Sequence, residues 1–148
     1  MERLRLPAKL PSLTGFREFV DRAAVAAGAG PELLLRIELV LEELLVNHVL
    51  HAYGSGEGDS DVACFCRAPG YFCLEVVDEA APFDPLGHAP PDLALAPRDR
   101  PIGGLGIHMV RSLADEISYR REGGKNVITA CFVLTVRGQS GSNDKCGG

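Results

Sequence analysis

The sequence predicts an α+β domain, a two-layer sandwich in which a mixed, mainly antiparallel sheet is covered on one face by helices. Three observations predict it. Two stretches with helical apolar spacing come first, between Leu13 and Tyr53. Short runs with the period of a strand follow, broken at Ala68-Pro69-Gly70 and Gly123-Gly124. One late helical stretch begins behind Gly103-Gly104-Leu105-Gly106. A chain of 148 residues with 46% hydrophobic content can close one core around such elements.

The elements follow in order. Arg3 to Ala8 alternates and reads as an edge strand, ended by Pro11. Leu13 to Ala27 is helical, with Phe16, Phe19, Val20 and Ala24 on one side and Gly28 and Gly30 as the stop. Pro31 suits the first turn of a second helix, where no N–H is needed. At about 100° per residue, Leu34, Ile37, Leu41, Leu44 and Leu45 form one apolar stripe, and Leu35, Leu39, Val46 and Leu50 a second. Glu38 and Glu42 lie on one polar strip between them; Arg36, Glu43, Asn47 and His51 lie near the other. Tyr53 to Gly58 is a loop. Asp61 to Arg67 and Tyr71 to Asp78 are the strands of a hairpin.

Six of the ten prolines then crowd between Pro82 and Pro101. A proline-rich segment of that length is either disordered or a lid, and Leu86 to Ile102 would be the lid. A helix is predicted from about Ile107 to Asp115, with Ile107, Val110 and Leu113 inward. Glu116 to Arg121 and Asn126 to Val136 close the sheet around Glu122-Gly123-Gly124. Residues 1–137 make one domain, and the Gly/Ser-rich stretch from Gly138 to Gly148 is expected to be a disordered tail.

The net charge of −5 gives no basic surface for nucleic acid. The most apolar segment, Leu33 to Leu50, is broken by Arg36, Glu38, Glu42, Glu43 and Asn47, so no membrane span is expected. No apolar signal core follows the N-terminus, and a cytoplasmic location is the default expectation. Cys64, Cys66, Cys73 and Cys131 are expected to be buried free thiols, with Cys146 in the tail; no second Cys or His pair answers Cys64 and Cys66 at zinc spacing.

Three constellations carry possible chemistry. Glu43 and Asn47 stand one helical turn apart on the same face. Read on the helix alone, their strip is either a solvent face or one wall of a site. Asp78 shares a strand face with Phe72, Leu74 and Val76, so it points toward the core at the strand's end. A buried carboxylate needs donors, either from a ligand or from the following turn. Gly103 to Gly106 frees backbone N–H groups at a helix start, where anions are stabilised. Met109 stands where a Gly-x-Gly-x-x-Gly motif would place its third glycine, and the chain has no P-loop motif. His48, His88 and His108 are isolated. His48 falls on an apolar stripe and is expected to be a core histidine with a satisfied ring.

The order of these signals resembles the GHKL ATPase superfamily: acid-x-x-x-Asn on a helix, Asp at a strand end, a lid, then Gly-x-Gly before a helix. The segments that carry it run from Glu42 to Tyr53, Asp78 to Pro85 and Pro101 to Ile107, continuing to Leu113-Ala114-Asp115-Glu116. Within the superfamily the chain is similar to the anti-sigma factor serine/threonine kinases, over roughly Phe16 to Val136. That resemblance implies a Bergerat-type ATP-binding fold with ATP and Mg²⁺ as cofactors. It implies Glu43 as the general base and Asn47 as the Mg²⁺ ligand. Asp78 would accept from the adenine amino group, with Ala80 beside it, and His51 would lie near the phosphate end. Gly104, Leu105, Gly106 and Ile107 would pass the phosphates.

The family ends with a Gly-Thr element where this chain has Gly124-Lys125-Asn126, which leaves Asn126 and Thr129 without an implied role. Relatives carry glycine at the position of Ala80. The resemblance implies a kinase that phosphorylates an anti-sigma-factor antagonist, sequesters a sigma factor or another effector, and forms a homodimer. The alternative raised by Ala80 is a protein-binding regulator of the same fold that has lost nucleotide binding.

Overall fold

The computed structural model describes residues 1–49, 58–82, 84, 86 and 104–134. The elements run β1 (Glu2–Pro7), a single 3-10 turn (Leu10–Ser12), α1 (Leu13–Ala26), α2 (Pro31–Asn47), β2 (Asp59–Arg67), β3 (Tyr71–Asp78), α3 (Gly104–Leu113), β4 (Glu116–Glu122) and β5 (Lys125–Val133). The strands form one sheet in the order β1-β2-β3-β5-β4. Each described pairing is antiparallel.

Period two decides which side chains meet the helices. Phe72, Leu74 and Val76 of β3 join Ile128, Ala130 and Phe132 of β5 in the core, with Val62 and Cys64 of β2. Phe16, Val20 and Ala24 of α1 cover them, as do Ile37, Val40, Leu41, Leu44 and Leu45 of α2. The first apolar stripe of α2 is therefore the packed one. The second is not: Leu35 is 57% exposed and Leu39 and Val46 are only half-buried. With helices on one face of the sheet, α2 has sheet on one side only, and its flanks meet α1 and α3.

Two local features rest on glycine. A Cβ added at Gly15 would come within 2.9 Å of Leu6 Cδ1, so Gly15 sets how closely α1 approaches β1. Gly123 and Gly124 have φ of 56° and 76°, the pair of left-handed residues that a tight two-residue hairpin turn requires. Helix α3 starts at Gly104, earlier than the expected Ile107, because Gly104 and Gly106 join its first turn.

The expectation of free thiols is corrected. Cys73 and Cys131 stand directly opposite one another on β3 and β5 and are joined by a disulfide. Opposed residues on neighbouring strands bring their Cβ atoms together, but a separation of 58 residues hides that register in the sequence. Cys66 is also disulfide-bonded. Cys64 is a buried free thiol, as expected, and burial pushes it up to about 12.

The other face of the sheet carries charge. Arg5 grips Asp61 through two bonds of 2.9 and 2.8 Å, and Arg120 reaches Glu75 at 3.4 Å. These residues line a groove of about 790 Å³ with Arg3 and Lys125. Among the described residues no helix is long and apolar enough to cross a membrane.

Candidate functional site

Asp78 ends β3 on the helix-covered face and is buried. Period two delivers it there, and three donors meet it. Oδ1 accepts the backbone N–H of Ala80 at 2.9 Å and Asn126 Nδ2 at 2.8 Å. Oδ2 faces His48 Nε2 at 3.0 Å. The turn-capping role and the buried-acceptor role are thus combined in one side chain. A carboxylate oxygen has two lone pairs, so Oδ1 is filled and Oδ2 keeps one open.

Asn126 starts the inward row of β5 and is paired with Asp78 in the strand register. Its Nδ2 also donates to Ala81 O at 3.0 Å, and its Oδ1 accepts from Tyr119 OH at 2.7 Å. Sequence reasoning gave Asn126 no role; its signal was the alternation Asn126, Ile128, Ala130, Phe132, which aims it at the same face as Asp78. Ser60 stands opposite Asp78 on β2. A buried polar row, Ser60-Asp78-Asn126, therefore crosses three strands.

His48 is the second residue that the sequence undervalued. It is buried as expected, but only half of its ring is satisfied, since Nδ1 has no partner. Burial lowers its pKa, against the pull of Asp78, so the ring is neutral with its proton on Nε2 toward the carboxylate. Beyond Asn47 the backbone of residues 48 and 49 widens to π-helical bonding.

Glu43 and Asn47 lie on α2 one turn apart. Asn47 is 4% exposed and its Nδ2 has no partner. Glu43 is half-buried, and Glu42 is exposed. Desolvation, and then the neighbouring Glu42 carboxylate, raise the Glu43 pKa above the ordinary glutamate range. His48, adjacent to Asn47 in the chain, ties this end of α2 to the end of β3. The backbone of Gly104, Leu105, Gly106 and Ile107 forms the first turn of α3, where N–H groups lack helical acceptors. Arg36 of α2 holds the other end of α3 through Leu113 O, at 3.0 and 2.6 Å. Arg111 donates to the Leu86 carbonyl, where the predicted lid begins. His51, the rest of the lid and the tail fall outside the described residues.

Ala80 takes no strained conformation, because no described residue other than glycine has positive φ. Its N–H caps Asp78, and its carbonyl accepts from Arg121 Nη1 at 2.8 Å. The conformational ground for reading Ala80 as a loss of function is thereby removed. Two buried polar atoms without partners, His48 Nδ1 and Ser60 Oγ, belong to residues beside Asp78, and a third, Asn47 Nδ2, to the chain neighbour of His48. Buried polar groups are nearly always paired, so this constellation is built to meet a polar ligand or ordered water.

Residues 6–132 match the model of the histidine kinase-like ATPase domain family. The serine/threonine-protein kinase BtrW of Bordetella bronchiseptica is 25% identical over 128 residues, which cover 86% of this chain and 90% of that protein. The fold is similar to a crystal structure of the RsbU and RsbW domains of Rv1364c from Mycobacterium tuberculosis. The TM-score is 0.62 at 17% identity, over 90% of this chain and 33% of the other. At that identity the likeness concerns the fold. The family match spans the acid-x-x-x-Asn helix, the buried Asp78 and the glycine-led α3, and the chain belongs to the histidine kinase-like ATPase domain family, within the GHKL superfamily.

Proposed function

We propose that the chain is a Mg²⁺-dependent, ATP-using serine/threonine protein kinase of a partner-switching circuit. Its substrate is an anti-sigma-factor antagonist, and it sequesters a sigma factor or another effector as a homodimer in the cytoplasm. One observation carries the reading: α2 presents Glu43 and Asn47 one turn apart, and His48 ties the end of that helix to a buried Asp78 with one open lone pair.

Asp78 takes the adenine amino group at Oδ2, where an acceptor without competing acceptors selects an N–H. Asn47 holds Mg²⁺ through its side-chain oxygen. The unpartnered Nδ2 of the same amide is a buried donor, suited to a phosphate or water oxygen beside the ion, and Mg²⁺ would supply charge neutralisation at the phosphates. When bound, MgATP supplies the phosphoryl group. Glu43 takes the proton of the attacking hydroxyl, and its raised pKa suits a base working near neutral pH. The first turn of α3 gives N–H groups to the phosphates.

Calorimetry with ATP and Mg²⁺, followed by radiolabel transfer to a cognate antagonist, tests the reading. Glu43→Ala is expected to keep ATP binding and lose transfer by at least about 100-fold. Undiminished transfer removes Glu43 as the base, and absence of ATP binding removes the kinase.

A further inference from the structure

We propose that His48 is a specificity-determining residue of the nucleotide pocket, which admits a purine with an unsubstituted exocyclic amino group and excludes one whose amino group carries a substituent. This rests on the reading that Asp78 receives that amino group.

The geometry is set by one oxygen. Asn126 and the Ala80 N–H occupy Oδ1, so the amino group must use Oδ2. His48 Nε2 already sits 3.0 Å from Oδ2. Two donors on the two lone pairs of one oxygen, each at hydrogen-bond distance, stand roughly 5 Å apart. The imidazole edge therefore leaves a gap of roughly 5 Å to the amino nitrogen, enough for a bare N–H and too little for a carbon substituent placed between them. One N–H of that nitrogen is spent on Oδ2, and the ring restricts the space beside it.

Escape of the imidazole from this place is costly. The side chains of His48 and Asp78 are 5% and 1% exposed. Withdrawal of the ring leaves a buried N–H unpaired and removes one of the donors on the carboxylate. Ser60, opposite Asp78, offers an unpartnered hydroxyl on the flanking strand, which suits an acceptor nitrogen of the same base edge, directly or through water.

The test compares ATP with N6-benzyl-ATP by calorimetry on the full chain. The unaltered protein is expected to prefer ATP by at least about tenfold, the lower end of what a pocket gains by excluding one extra group. His48→Ala is expected to reduce that preference at least about tenfold, by opening space beside Oδ2. His48→Gln, whose amide N–H can take the place on Oδ2, is expected to keep the preference within about threefold.

An unchanged preference in His48→Ala, with ATP still bound, overturns the role of His48 and leaves the kinase reading standing. Absence of ATP binding in the unaltered protein overturns both. A readout without nucleotide covers a His48→Ala variant that does not fold. Nitrogen-15 NMR of the unaltered protein is expected to show the His48 ring protonated at Nε2, with that signal displaced in Asp78→Asn. A ring protonated at Nδ1, or insensitive to Asp78→Asn, overturns the inference.

Discussion

Replacement of Arg36 by alanine tests how α2 and α3 are held together. The guanidinium donates from Nε and Nη2 to the carbonyl of Leu113, the last residue of α3. It lies 5.9 Å from the centre of the Phe132 ring and 3.5 Å from Asp115 Oδ2. A hydrogen bond to a charged group contributes about 1.5–3 kcal/mol. The stacking on Phe132 adds about 0.5–1 kcal/mol, and the ion pair with a half-exposed Asp115 adds about 0–1 kcal/mol. The Arg36 side chain is itself 37% exposed, so water recovers part of the loss.

Arg36→Ala is therefore expected to destabilise the protein by about 2 kcal/mol, near the low end of the combined terms. In urea denaturation the midpoint should fall with an unchanged slope. Arg36→Lys keeps the charge but not the fork, and should recover about half of the loss. A variant Arg36→Ala within about 0.5 kcal/mol of the parent refutes the clamp, since that is the size of an ordinary surface change.

Asn126→Ala should cost about 3 kcal/mol in the same measurement, because it removes a donor to a buried carboxylate and leaves Tyr119 OH without its acceptor. The same variant should weaken ATP binding by loosening Asp78. Glu43 must be ionised to act as a base, and its pKa is raised; phosphoryl transfer should therefore fall as pH drops, with a midpoint above the ordinary glutamate range, while ATP binding changes less. Asp21 of α1 faces Glu38 of α2, and burial followed by that neighbour pushes Asp21 up to about 6. A folded-state pKa above the unfolded value gives stability that is full at low pH and lost as pH rises through about 6. Asp21→Asn should accordingly raise the melting temperature at pH 7.5, less so at pH 4.5, and have little effect only below the unfolded value of 3.8.

The parts of the fold that were legible in the sequence are those with a strong period. β3 is legible to the residue, because Tyr71 to Asp78 combines alternation with a turn before it. The stripe Leu34, Ile37, Leu41, Leu44 and Leu45 of α2 is legible as apolar, and all of it except the half-buried Leu34 is core, because helical spacing and burial agree there. Leu35, Leu39 and Val46 have the same spacing, but spacing cannot reveal that, among the described residues, no second layer covers them. Glu43 was preferred to Glu42 on register with Asn47, and the burial of the two carboxylates separates them in the same sense.

The missed parts depend on contacts far apart in sequence. His48 and Asp78 are separated by 30 residues of chain and meet only after α2 lies across the sheet. Asn126 looked like a departure from a family motif, but the register of β3 with β5 makes it the partner of Asp78. Cys73 and Cys131 share that register, on the opposite face.

The place of β3 in the sheet has a consequence for local opening. The strand is paired along its length on both sides, with β2 and with β5. Its amides should exchange with solvent only when the whole domain opens, whereas those of the edge strands β1 and β4 should exchange by fraying. Asp78 is thus mounted on the central strand of the sheet. Nucleotide held there would slow exchange across all of β3 together, by the same factor by which it shifts the global unfolding equilibrium toward the folded state.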